Sequence, residues 1–369
     1  MSTEGVHAVF PRVKDSISVL YRGVRDVYEV NFLFNASSVV LPFQLNKEAF
    51  GCLQYFDGLH SIEEIARKAG LPIIEVRRLV SVLQKSRVLA TKKHPAVIDQ
   101  DKFATQRNFF AEFETRTQSR EVMQERLHRA RVAIIGLGGI GTWVAQGLAL
   151  AGARNFTFID PDVVEISNLN RQCLFNVDDV GSLKVQVAER KLCSIDAEIS
   201  VQGIAQQVVS PQDCLVGMRG SSLIISCADD PSTDVVNRIV TEVCFELQVP
   251  HILCGGYDGH LSFIGPTVIP GESACWYCYE HALNKQLHRA EYQQLAVTNT
   301  HIKGGNIAAI CAITANYHVL DAVKVVTGFS KPTMTNKVAE LDFRTYDINF
   351  RKFRKRHTCP YCGHKRGES

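Results

Sequence analysis

Apolar and polar segments alternate in the second part of the chain in a way that predicts a largely parallel α/β sheet. Residues 132–135 and 155–159 are short apolar runs, and so are "SLIISCADD" and "VPHILCGGY" further along. Helix-like periodicity follows the first run over 142–152, and "NIAAICAITANYHVLDAVKVVTG" predicts a long apolar helix. Repeated strand–helix–strand units favour an α/β fold with a Rossmann-like, doubly wound, mainly parallel sheet.

The first part of the chain has a different pattern and predicts a small, separate α+β unit. Two strand-like runs, "SISVLYR" and "VYEVNFLF", precede a short amphipathic helix ending at Gly58. Ser61 and Glu64 have the spacing of a capping box, which begins a helix that ends at Gly70. A second helix follows, and "RVLAT" predicts a closing strand. We expect a winged-helix-like domain over 1–95, a linker at "KKHPAVIDQD", and a second domain over 96–369.

Composition narrows the classes of function. The chain of 369 residues is 46% hydrophobic and 21% charged with a net charge of +3, too weakly basic to indicate a nucleic-acid partner. The first residues lack the apolar region of a signal peptide, and no apolar run reaches the roughly 18 residues of a membrane span. We expect a cytoplasmic protein without membrane attachment, whose 12 cysteines bind metal or remain buried thiols.

A glycine-rich segment between the predicted strands at 132–135 and 155–159 indicates a nucleotide site. Gly136, Gly138 and Gly141 have the G-x-G-x-x-G spacing, with Gly139 as an additional glycine, and Asp160 closes the second strand. Such a turn lets the backbone and the following helix N-terminus approach a phosphate, and the carboxylate can accept hydrogen bonds from ribose hydroxyls. NAD and ATP both carry these groups, so the motif alone does not distinguish them.

A polar cluster after the second strand favours a triphosphate. It consists of amide and cationic side chains: Asn168, Asn170, Arg171, Gln172 and Lys184. A guanidinium binds phosphate oxygens in a fork, and an ammonium adds a compact positive charge. Asp229 follows the strand "LIISC", at the sheet edge where ligands bind, and a carboxylate there can hold Mg²⁺ against phosphates. We therefore expect ATP with Mg²⁺, and we expect catalysis to depend on Arg171, Lys184 and Asp229.

Two C-x-x-C pairs predict a metal site. Cys275 and Cys278 form the first pair, and Cys359 and Cys362 form the second. Four thiolates in two such pairs match the tetrahedral ligand set of zinc, and they leave no open coordination position. We expect a structural Zn²⁺ that joins the C-terminal segment to the main domain.

These motifs together resemble the ThiF/MoeB/ubiquitin-activating superfamily. The resemblance covers about residues 103–365 and rests on "GLGGIG", "FIDPDVVEISNLNRQ", "DVGSLK", "CADD" and the paired cysteines. It implies adenylation of a carboxylate with ATP and Mg²⁺, in which Asp160 binds ribose and Asp229 carries Mg²⁺. It also implies a homodimer in which an arginine reaches the partner's nucleotide, and "TQRNFF" makes Arg107 the candidate. The phosphates would be bound by Asn168, Arg171, Gln172 and Lys184.

Within the superfamily, "RQCLFNVDDVG" and the small N-terminal domain look like the MccB-like peptide maturases of the microcin C or pantocin A type. This resemblance implies that a ribosomal precursor peptide is adenylated and then matured by cyclisation, dehydration or P–N bond formation. The N-terminal domain is also similar to PqqD-like elements, which bind a leader peptide. An exposed strand such as "VYEVNFLF" is a candidate to receive that leader as an added strand.

Three alternatives remain open from the sequence. A ThiF- or MoeB-type enzyme would activate the C-terminus of a ubiquitin-like sulfur-carrier protein. A DNA-binding helix–turn–helix is the second alternative, but its second helix carries Glu75 beside Arg77, Arg78 and Lys85 and no long basic stripe. A non-catalytic scaffold with an inactive nucleotide fold is the third, and the intact polar cluster argues against it.

A nucleophilic cysteine is not expected. Ubiquitin-type activators place one between the first cysteine pair and the long apolar helix, and here no cysteine lies between Cys278 and Cys311. Cys311 falls inside the apolar helix and is expected in the core. The chemistry is therefore expected to proceed from the acyl adenylate without a thioester.

Overall fold

The computed structural model describes residues 10–35, 38–90, 101–115, 117–287 and 305–363. The predicted linker lies outside these residues except for Asp101, as does most of the polar segment that follows Gln286. The chain divides into two compact units, Met1–Gln124 and Glu125–Ser369. Each unit is described by itself.

A three-stranded antiparallel sheet begins the N-terminal unit. Its strands lie side by side in chain order: β1 (Ile17–Val24), β2 (Val27–Phe34) and β3 (Val39–Asn46). β2 is the central strand, because Val30 pairs with Tyr21 on one side and with Phe43 on the other. The expectation that β2, the segment "VYEVNFLF", receives an added peptide strand is therefore wrong. Within the described residues, the free edges of this sheet belong to β1 and β3.

Three helices share a core with this sheet: α1 (Lys47–Cys52), α2 (Ile62–Ala69) and α3 (Ile73–Lys85). Ser61 and Glu64 form the predicted capping box, and α2 ends at Gly70 with a φ of +67°. In place of the predicted strand at "RVLAT", the described residues contain an isolated bridge between Val13 and Leu89. The unit combines helices and strands as expected, and its winged-helix character stays a prediction. Two helices follow: α4 (Ala104–Ala111) and α5 (Arg120–Arg129).

Strands and helices alternate over residues 131–253, as the hydrophobic pattern predicted, and further strands and helices follow without strict alternation. The strands are β4 (Arg131–Ile135), β5 (Asn155–Ile159), β6 (Ser200–Ile204), β7 (Leu223–Ser226), β8 (His251–Leu253), β9 (Tyr257–Asp258), β10 (Leu261–Ile264), β11 (Thr267–Val268), β12 (Lys337–Asp342) and β13 (Asp347–Lys352). The helices are α6 (Gly139–Leu150), α7 (Lys184–Ile195), α8 (Pro211–Met218), α9 (Thr233–Leu247), α10 (Trp276–Gln286) and α11 (Ala308–Thr327).

A six-stranded, mainly parallel sheet forms the centre of the C-terminal unit and confirms the predicted fold class. Its strand order is β11–β8–β7–β4–β5–β6, and only β11 is antiparallel to its neighbour. Strand order reverses at β4, where the chain crosses first to β5 and later to β7. The carboxyl ends of these three strands lie together, because Ile135 is opposite both Ile159 and Ser226. Ligands of open α/β sheets bind at such a point.

Helices cover both faces of this sheet. Residues of α6, α7 and α11 form one core with it, and residues of α8, α9 and α10 form a second core on the other face. By length and composition, α11 would be apolar enough to cross a membrane, but half of that apolar stretch is buried in the protein. A Cβ on Gly147 of α6 would lie 2.9 Å from the Val319 side chain, so α11 packs closely on α6. Core packing accounts for the apolar composition of α11.

Candidate functional site

The glycine turn after β4 is held against β7 at the carboxyl edge of the sheet. Gly136 has a φ of +86°, and a Cβ there would lie 2.7 Å from the backbone of Ala228. A Cβ on Gly141 would lie 1.9 Å from the carbonyl oxygen of Gly136, so both positions require glycine. Among the described residues, nothing lies within 4 Å of the Cβ position of Gly138, which precedes the first turn of α6. A phosphate can approach the helix N-terminus there.

Asp160 connects the end of β5 to this turn. Its Oδ2 accepts the N–H of Leu137 at 2.5 Å, and its Oδ1 accepts the N–H of Asp162 at 2.9 Å. Burial raises the pKa of the Asp160 carboxyl above its ordinary value, and the positive charge of Lys184 opposes the rise. Each carboxylate oxygen keeps a further lone pair, which suits the predicted contact with ribose hydroxyls.

Lys184 is the first residue of α7, and its side chain is only 6% exposed. Its Nζ lies 2.7 Å from Oδ2 of Asp162, and its backbone N–H donates to the Asp162 carbonyl at 2.9 Å. An ammonium has three donors, so the Asp162 contact leaves capacity for a phosphate. The structure therefore brings Lys184 and Asp160 together at one strand end, where the sequence predicted both.

Arg171 lies on the loop between β5 and α7, where hydrogen bonds of its side chain and of its backbone carbonyl fix its position. Its Nη1 donates to the Ser167 carbonyl at 2.7 Å and to Oδ1 of Asn170 at 3.0 Å. Its own carbonyl accepts the indole N–H of Trp143, on α6, at 3.0 Å. Its side chain also reaches the glycine turn, because Cδ is 3.6 Å from the Cβ position of Gly139.

The two buried amides of this loop have different environments. Asn168 caps a short helical turn, and its Oδ1 accepts the N–H of Glu165 at 3.1 Å. Gln172 is 3% exposed, and its Oε1 has no hydrogen-bond partner among the described residues. A buried acceptor without a partner requires a donor from a ligand or water. Gln172 therefore has free capacity for a bound group, while Asn168 already serves the loop structure.

Asp229 lies three residues past the end of β7 and is exposed. The preceding residue, Ala228, contacts the glycine turn through the close approach at Gly136. The neighbouring Asp230 accepts a hydrogen bond from Nε2 of Gln207 at 2.6 Å. Asp229 thus lies at the sheet edge that carries the glycine turn, as predicted, and its role with Mg²⁺ stays a prediction.

Arg107 belongs to the other unit of the chain. It lies on α4, and its Nη1 is 2.9 Å from Oδ2 of Asp101. Its guanidinium side chain is 13% exposed. The predicted contact between Arg107 and a partner's nucleotide depends on assembly and stays a prediction.

Three residues that the sequence did not single out for this site meet Arg171 at the glycine turn. The Cβ position of Gly139 is 2.6 Å from Sγ of Cys311 and 3.5 Å from the hydroxyl of Tyr257. Asn306 Nδ2 donates to Cys311 Sγ at 2.8 Å. The Tyr257 hydroxyl also interacts with the side chains of Arg171 and Asn306. Tyr257, Asn306 and Cys311 therefore form a polar niche beside Arg171.

Cys311 is buried, as expected, but its sulfur is in this polar niche rather than among apolar side chains. Burial raises the pKa of the Cys311 thiol, and the Asn306 amide and the Arg171 charge oppose that rise. Tyr257 carried a sequence signal, because it follows the Gly-Gly turn at the carboxyl end of β8, where ligand-contacting residues occur. Cys311 and Asn306 carried none, since their contact with the turn joins distant parts of the chain.

The four cysteines of the two C-x-x-C pairs come together as predicted. All four are buried, and their sulfur atoms lie within 4.8 Å of one another. Cys275 Sγ is 3.4 Å from Cys359 Sγ, and Cys278 Sγ is 3.4 Å from Cys362 Sγ. A tetrahedral zinc ion with bonds of about 2.3 Å separates its sulfur ligands by roughly 3.8 Å, so the cluster can hold such an ion.

Strand order and the glycine turn define a nucleotide-binding protein of the Rossmann-like α/β class, with its ligand edge at β4, β5 and β7. Residues 104–363 match the ThiF family, and the chain belongs to that family.

Relatives with known roles identify the reaction class. The sulfur carrier protein adenylyltransferase of Thermus thermophilus is 28% identical over 244 residues, which are 65% of this chain and 84% of the relative. The sulfur carrier protein ThiS adenylyltransferase of Bacillus subtilis is 32% identical over 253 residues, which are 66% of this chain and 67% of the relative. With the family match, these relatives identify an ATP-dependent adenylating enzyme.

Solved structures resemble the chain over almost its whole length. Escherichia coli MccB has a TM-score of 0.74 at 20% identity, covering 97% of this chain and 98% of MccB. PaaA has a TM-score of 0.71 at 22% identity, covering 93% of this chain and 100% of PaaA. MccB has been solved with ATP and with MccA. At this identity the likeness establishes the fold.

Proposed function

We propose that this enzyme adenylates a carboxylate of a ribosomally synthesised precursor peptide, as the first step of its maturation to a peptide antibiotic. The observation that carries the proposal is the extent of the structural likeness. MccB, a microcin C7 biosynthetic enzyme solved with N-formylated MccA, matches 96% of this chain. The sulfur-carrier relatives match about two thirds of it, and the family match begins only at residue 104. The three-stranded sheet of the N-terminal unit precedes that match.

The proposed reaction is attack by the peptide carboxylate on the α-phosphate of ATP, with pyrophosphate as the leaving group. Asp160 binds the ribose hydroxyls, and the phosphates lie over the glycine turn at the start of α6. Asp229 would hold Mg²⁺, whose charge would offset part of the triphosphate charge. The remaining charge is bound by the polar cluster, namely Asn168, Asn170, Arg171, Gln172 and Lys184. Positioning and charge neutralisation account for catalysis in this scheme.

Tyr257 and Asn306 are proposed to hold the Arg171 side chain against the glycine turn. The Tyr257 hydroxyl interacts with the side chains of both Asn306 and Arg171. A guanidinium that already donates to the Ser167 carbonyl and to Asn170 loses less rotamer freedom when a phosphate binds. This arrangement prepares Arg171 for a phosphate before ATP arrives.

Residues 1–95 are proposed to form the PqqD-like domain that captures the leader segment of the precursor. An extended peptide can extend the three-stranded sheet at one of its free edges through backbone hydrogen bonds. Both edge strands expose apolar side chains for such a contact. Leu20 and Tyr21 on β1 are 52% and 64% exposed, and Val39 and Val40 on β3 are 48% and 47% exposed. Capture raises the local concentration of the core carboxylate at the nucleotide site.

The remaining parts of the proposal concern assembly and metal. A structural Zn²⁺ is bound by Cys275, Cys278, Cys359 and Cys362. Two copies of the chain form a homodimer, in which Arg107 of each copy reaches the nucleotide of the other. The enzyme acts in the cytoplasm.

An exchange assay tests the proposed substrate class. The intact enzyme is incubated with ATP, Mg²⁺ and labelled pyrophosphate, and return of label into ATP reports reversible adenylation. One arm adds synthetic peptides encoded by short reading frames beside its gene, and the other adds a ThiS-type carrier protein ending in Gly-Gly. We expect exchange with a peptide and none with the carrier. Exchange that depends on the carrier alone would replace this proposal with sulfur-carrier activation.

Sulfur-carrier activation is the second candidate because of the sequence relatives. The two adenylyltransferases compared above are 28% and 32% identical to this chain, whereas MccB is 20% identical.

The proposed role of the N-terminal unit distinguishes the two substrates, because only a precursor peptide has a leader for this unit to bind. A precursor with its leader should be adenylated with a lower KM than the same peptide without the leader, and the leader alone should inhibit competitively. Equal KM values for the two peptides would contradict leader capture.

A further inference from the structure

Two cysteines outside the zinc cluster are close enough to react with each other. Cys227 directly follows β7, and Cys254 directly follows β8. Their Sγ atoms are 3.4 Å apart. The two strands are parallel neighbours in which Ser226 is opposite Leu253, so the cysteines form the next pair along the same register.

The backbone geometry is compatible with a covalent bond between them. Neighbouring strands in a sheet are separated by about 4.8 Å, and disulfides join Cα atoms that are roughly 4.4 to 6.8 Å apart. The Cys254 N–H donates to the Ser226 carbonyl at 2.9 Å, which fixes the spacing of the two chains at this point. Joining the two sulfurs therefore requires a rotation of the side chains and a small movement of the strand ends.

The two thiols differ in access to reagents. Cys254 is 3% exposed, whereas Cys227 is half-buried. A small reagent therefore meets the sulfur of Cys227 first, and the sulfur of Cys254 is in contact with it from inside the protein. A more accessible thiol beside a buried second thiol meets the geometric requirement for attack by the first and resolution by the second.

Cys227 is joined directly to the nucleotide site. Its N–H donates to the Ile135 carbonyl at 2.7 Å, immediately before the glycine turn. Its Cβ is 3.4 Å from the Cβ position of Gly141. The next residue, Ala228, makes the close contact with Gly136, and Asp229 follows it. A movement of Cys227 would therefore disturb its backbone hydrogen bond to Ile135 and the approach of the neighbouring Ala228 to Gly136, and Asp229 is the next residue along the chain.

We propose that Cys227 and Cys254 form a redox-active dithiol, and that its oxidation by a small-molecule disulfide weakens ATP binding at the adjoining turn. The Cys227 sulfur, after losing its proton, attacks the reagent and forms a mixed disulfide while one thiolate leaves. The Cys254 sulfur, also deprotonated, then attacks Cys227 Sγ and expels the second thiolate. The protein loses two thiol protons and two electrons, and the reagent is reduced to two thiols. The predicted loss of ATP affinity rests on the proposed function, whereas formation of the Cys227–Cys254 disulfide does not.

The test uses the full-length, zinc-loaded enzyme and one equivalent of 4,4′-dithiodipyridine. Peptide mapping without reduction should recover a cross-linked peptide pair that contains Cys227 and Cys254. Calorimetry should show an ATP dissociation constant raised by about tenfold, because the turn that receives the phosphates is displaced; this corresponds to about 1.4 kcal/mol of binding free energy. Dithiothreitol should restore the original affinity.

Two variants separate the dithiol from the other cysteines. Cys227→Ala should bind ATP as the reduced enzyme does and should keep that affinity after treatment. Cys254→Ala should stop at a mixed disulfide on Cys227, visible by mass. Equal loss of affinity in Cys227→Ala, an unchanged affinity despite the mapped cross-link, or absence of the cross-link would each overturn the proposal. Mapping needs no nucleotide, so it decides the bond even if the enzyme fails to bind ATP.

Discussion

Cys311 Sγ occupies the space into which any side chain at Gly139 would project. A Cβ at position 139 would approach the sulfur to 2.6 Å, whereas a Cβ at position 138 would meet nothing within 4 Å among the described residues. The contact fixes the first turn of α11 against the glycine turn, two segments that are far apart in the chain. Within the described residues, Gly139 is thus constrained by a distant segment of the chain, whereas its neighbour Gly138 is not.

We expect Gly139→Ala to lower the free energy of unfolding by about 1–3 kcal/mol, because an added methyl group overpacks the contact with Cys311. Gly138→Ala is the matched control and should cost less, since its Cβ enters open space. The double variant Gly139→Ala/Cys311→Ala should recover part of the loss, which urea unfolding without ATP measures as a coupling free energy. Equal losses for the two glycine variants would contradict the assignment of the clash.

Asp229 should be required for adenylation and Asp230 should not. Asp229→Asn removes the charge proposed to hold Mg²⁺, so we expect pyrophosphate exchange to fall by about 100-fold or more at saturating ATP. Asp230→Asn keeps an oxygen that can accept from Gln207 and should retain most of the activity. Exchange rates of the two variants over a Mg²⁺ titration provide the measurement. Full activity in Asp229→Asn would remove its proposed role.

Mixing two inactive variants tests the proposed contribution of Arg107 across the dimer. Arg107→Ala keeps Lys184 in its own nucleotide site but cannot supply the arginine to its partner. Lys184→Ala has a defective nucleotide site but can still supply Arg107. In a randomly mixed dimer population, about a quarter of the sites combine an intact core with an intact partner arginine, so about a quarter of wild-type activity should return. Exchange assays of each variant alone and of the mixture decide the question. No recovery would indicate that Arg107 acts within its own chain or not at all.

The cysteine cluster should contain one zinc ion per chain, measurable by elemental analysis. Cys359→Ser should lose the ion and lower the thermal unfolding midpoint, because metal binding at such a site contributes directly to folding. Cys193→Ser is the control, since the Cys193 sulfur donates to the Ile199 carbonyl and a serine hydroxyl can do the same. If Cys359→Ser keeps full zinc content, the proposed ligand set is wrong.

Two buried histidines predict a loss of stability in mild acid. Burial lowers the pKa of His251 and of His318 from 6.5 to about 4. Between pH 6.5 and 4 the unfolded chain takes up these protons and the folded protein does not, so the free energy of unfolding falls as the pH falls. Above pH 6.5 both states are neutral at these positions and the effect is absent.

A single variant isolates one of the two histidines. His318→Gln should reduce the dependence of the unfolding free energy on pH by up to about 1.4 kcal/mol per pH unit, which corresponds to one proton. Comparison of His318→Gln with the unmodified enzyme at each pH cancels the contribution of the proposed metal site. An identical pH dependence in His318→Gln and in the unmodified enzyme would show that His318 does not titrate in this range.

Features encoded by neighbouring residues were predictable from the sequence. The glycine turn, the capping box at Ser61 and the alternation of strands and helices each depend on a short segment, and the structure confirms them. The position of Asp160 and Lys184 at the carboxyl edge of the sheet was also predictable from the sequence, since parallel strands bring their carboxyl ends together. The two cysteine pairs were predictable for another reason, because metal-ligand spacing is itself a local pattern.

Features that depend on which distant segments meet were not predictable in this way. β2 was interpreted from the sequence as an exposed strand, yet pairing with β1 and β3 makes it central. The sequence predicts that Cys311 is a core residue of an apolar helix. In the structure, Cys311 lies in the first turn of α11 and interacts with Tyr257 and Asn306 beside the glycine turn. Cys227 and Cys254 are adjacent only because β7 and β8 are paired in one particular register. A single sequence contains no direct signal for these pairings.

The four-cysteine cluster has a consequence for the order of events during synthesis. Its two halves are 84 positions apart, so the first pair has no second pair to meet until translation has passed Cys362. By then, the strands and helices that carry the glycine turn have already left the ribosome. A nascent chain interrupted before this point contains the nucleotide-binding segments but lacks half of the proposed zinc ligands. Acquisition of the proposed ion would therefore mark a polypeptide that has been translated through Cys362.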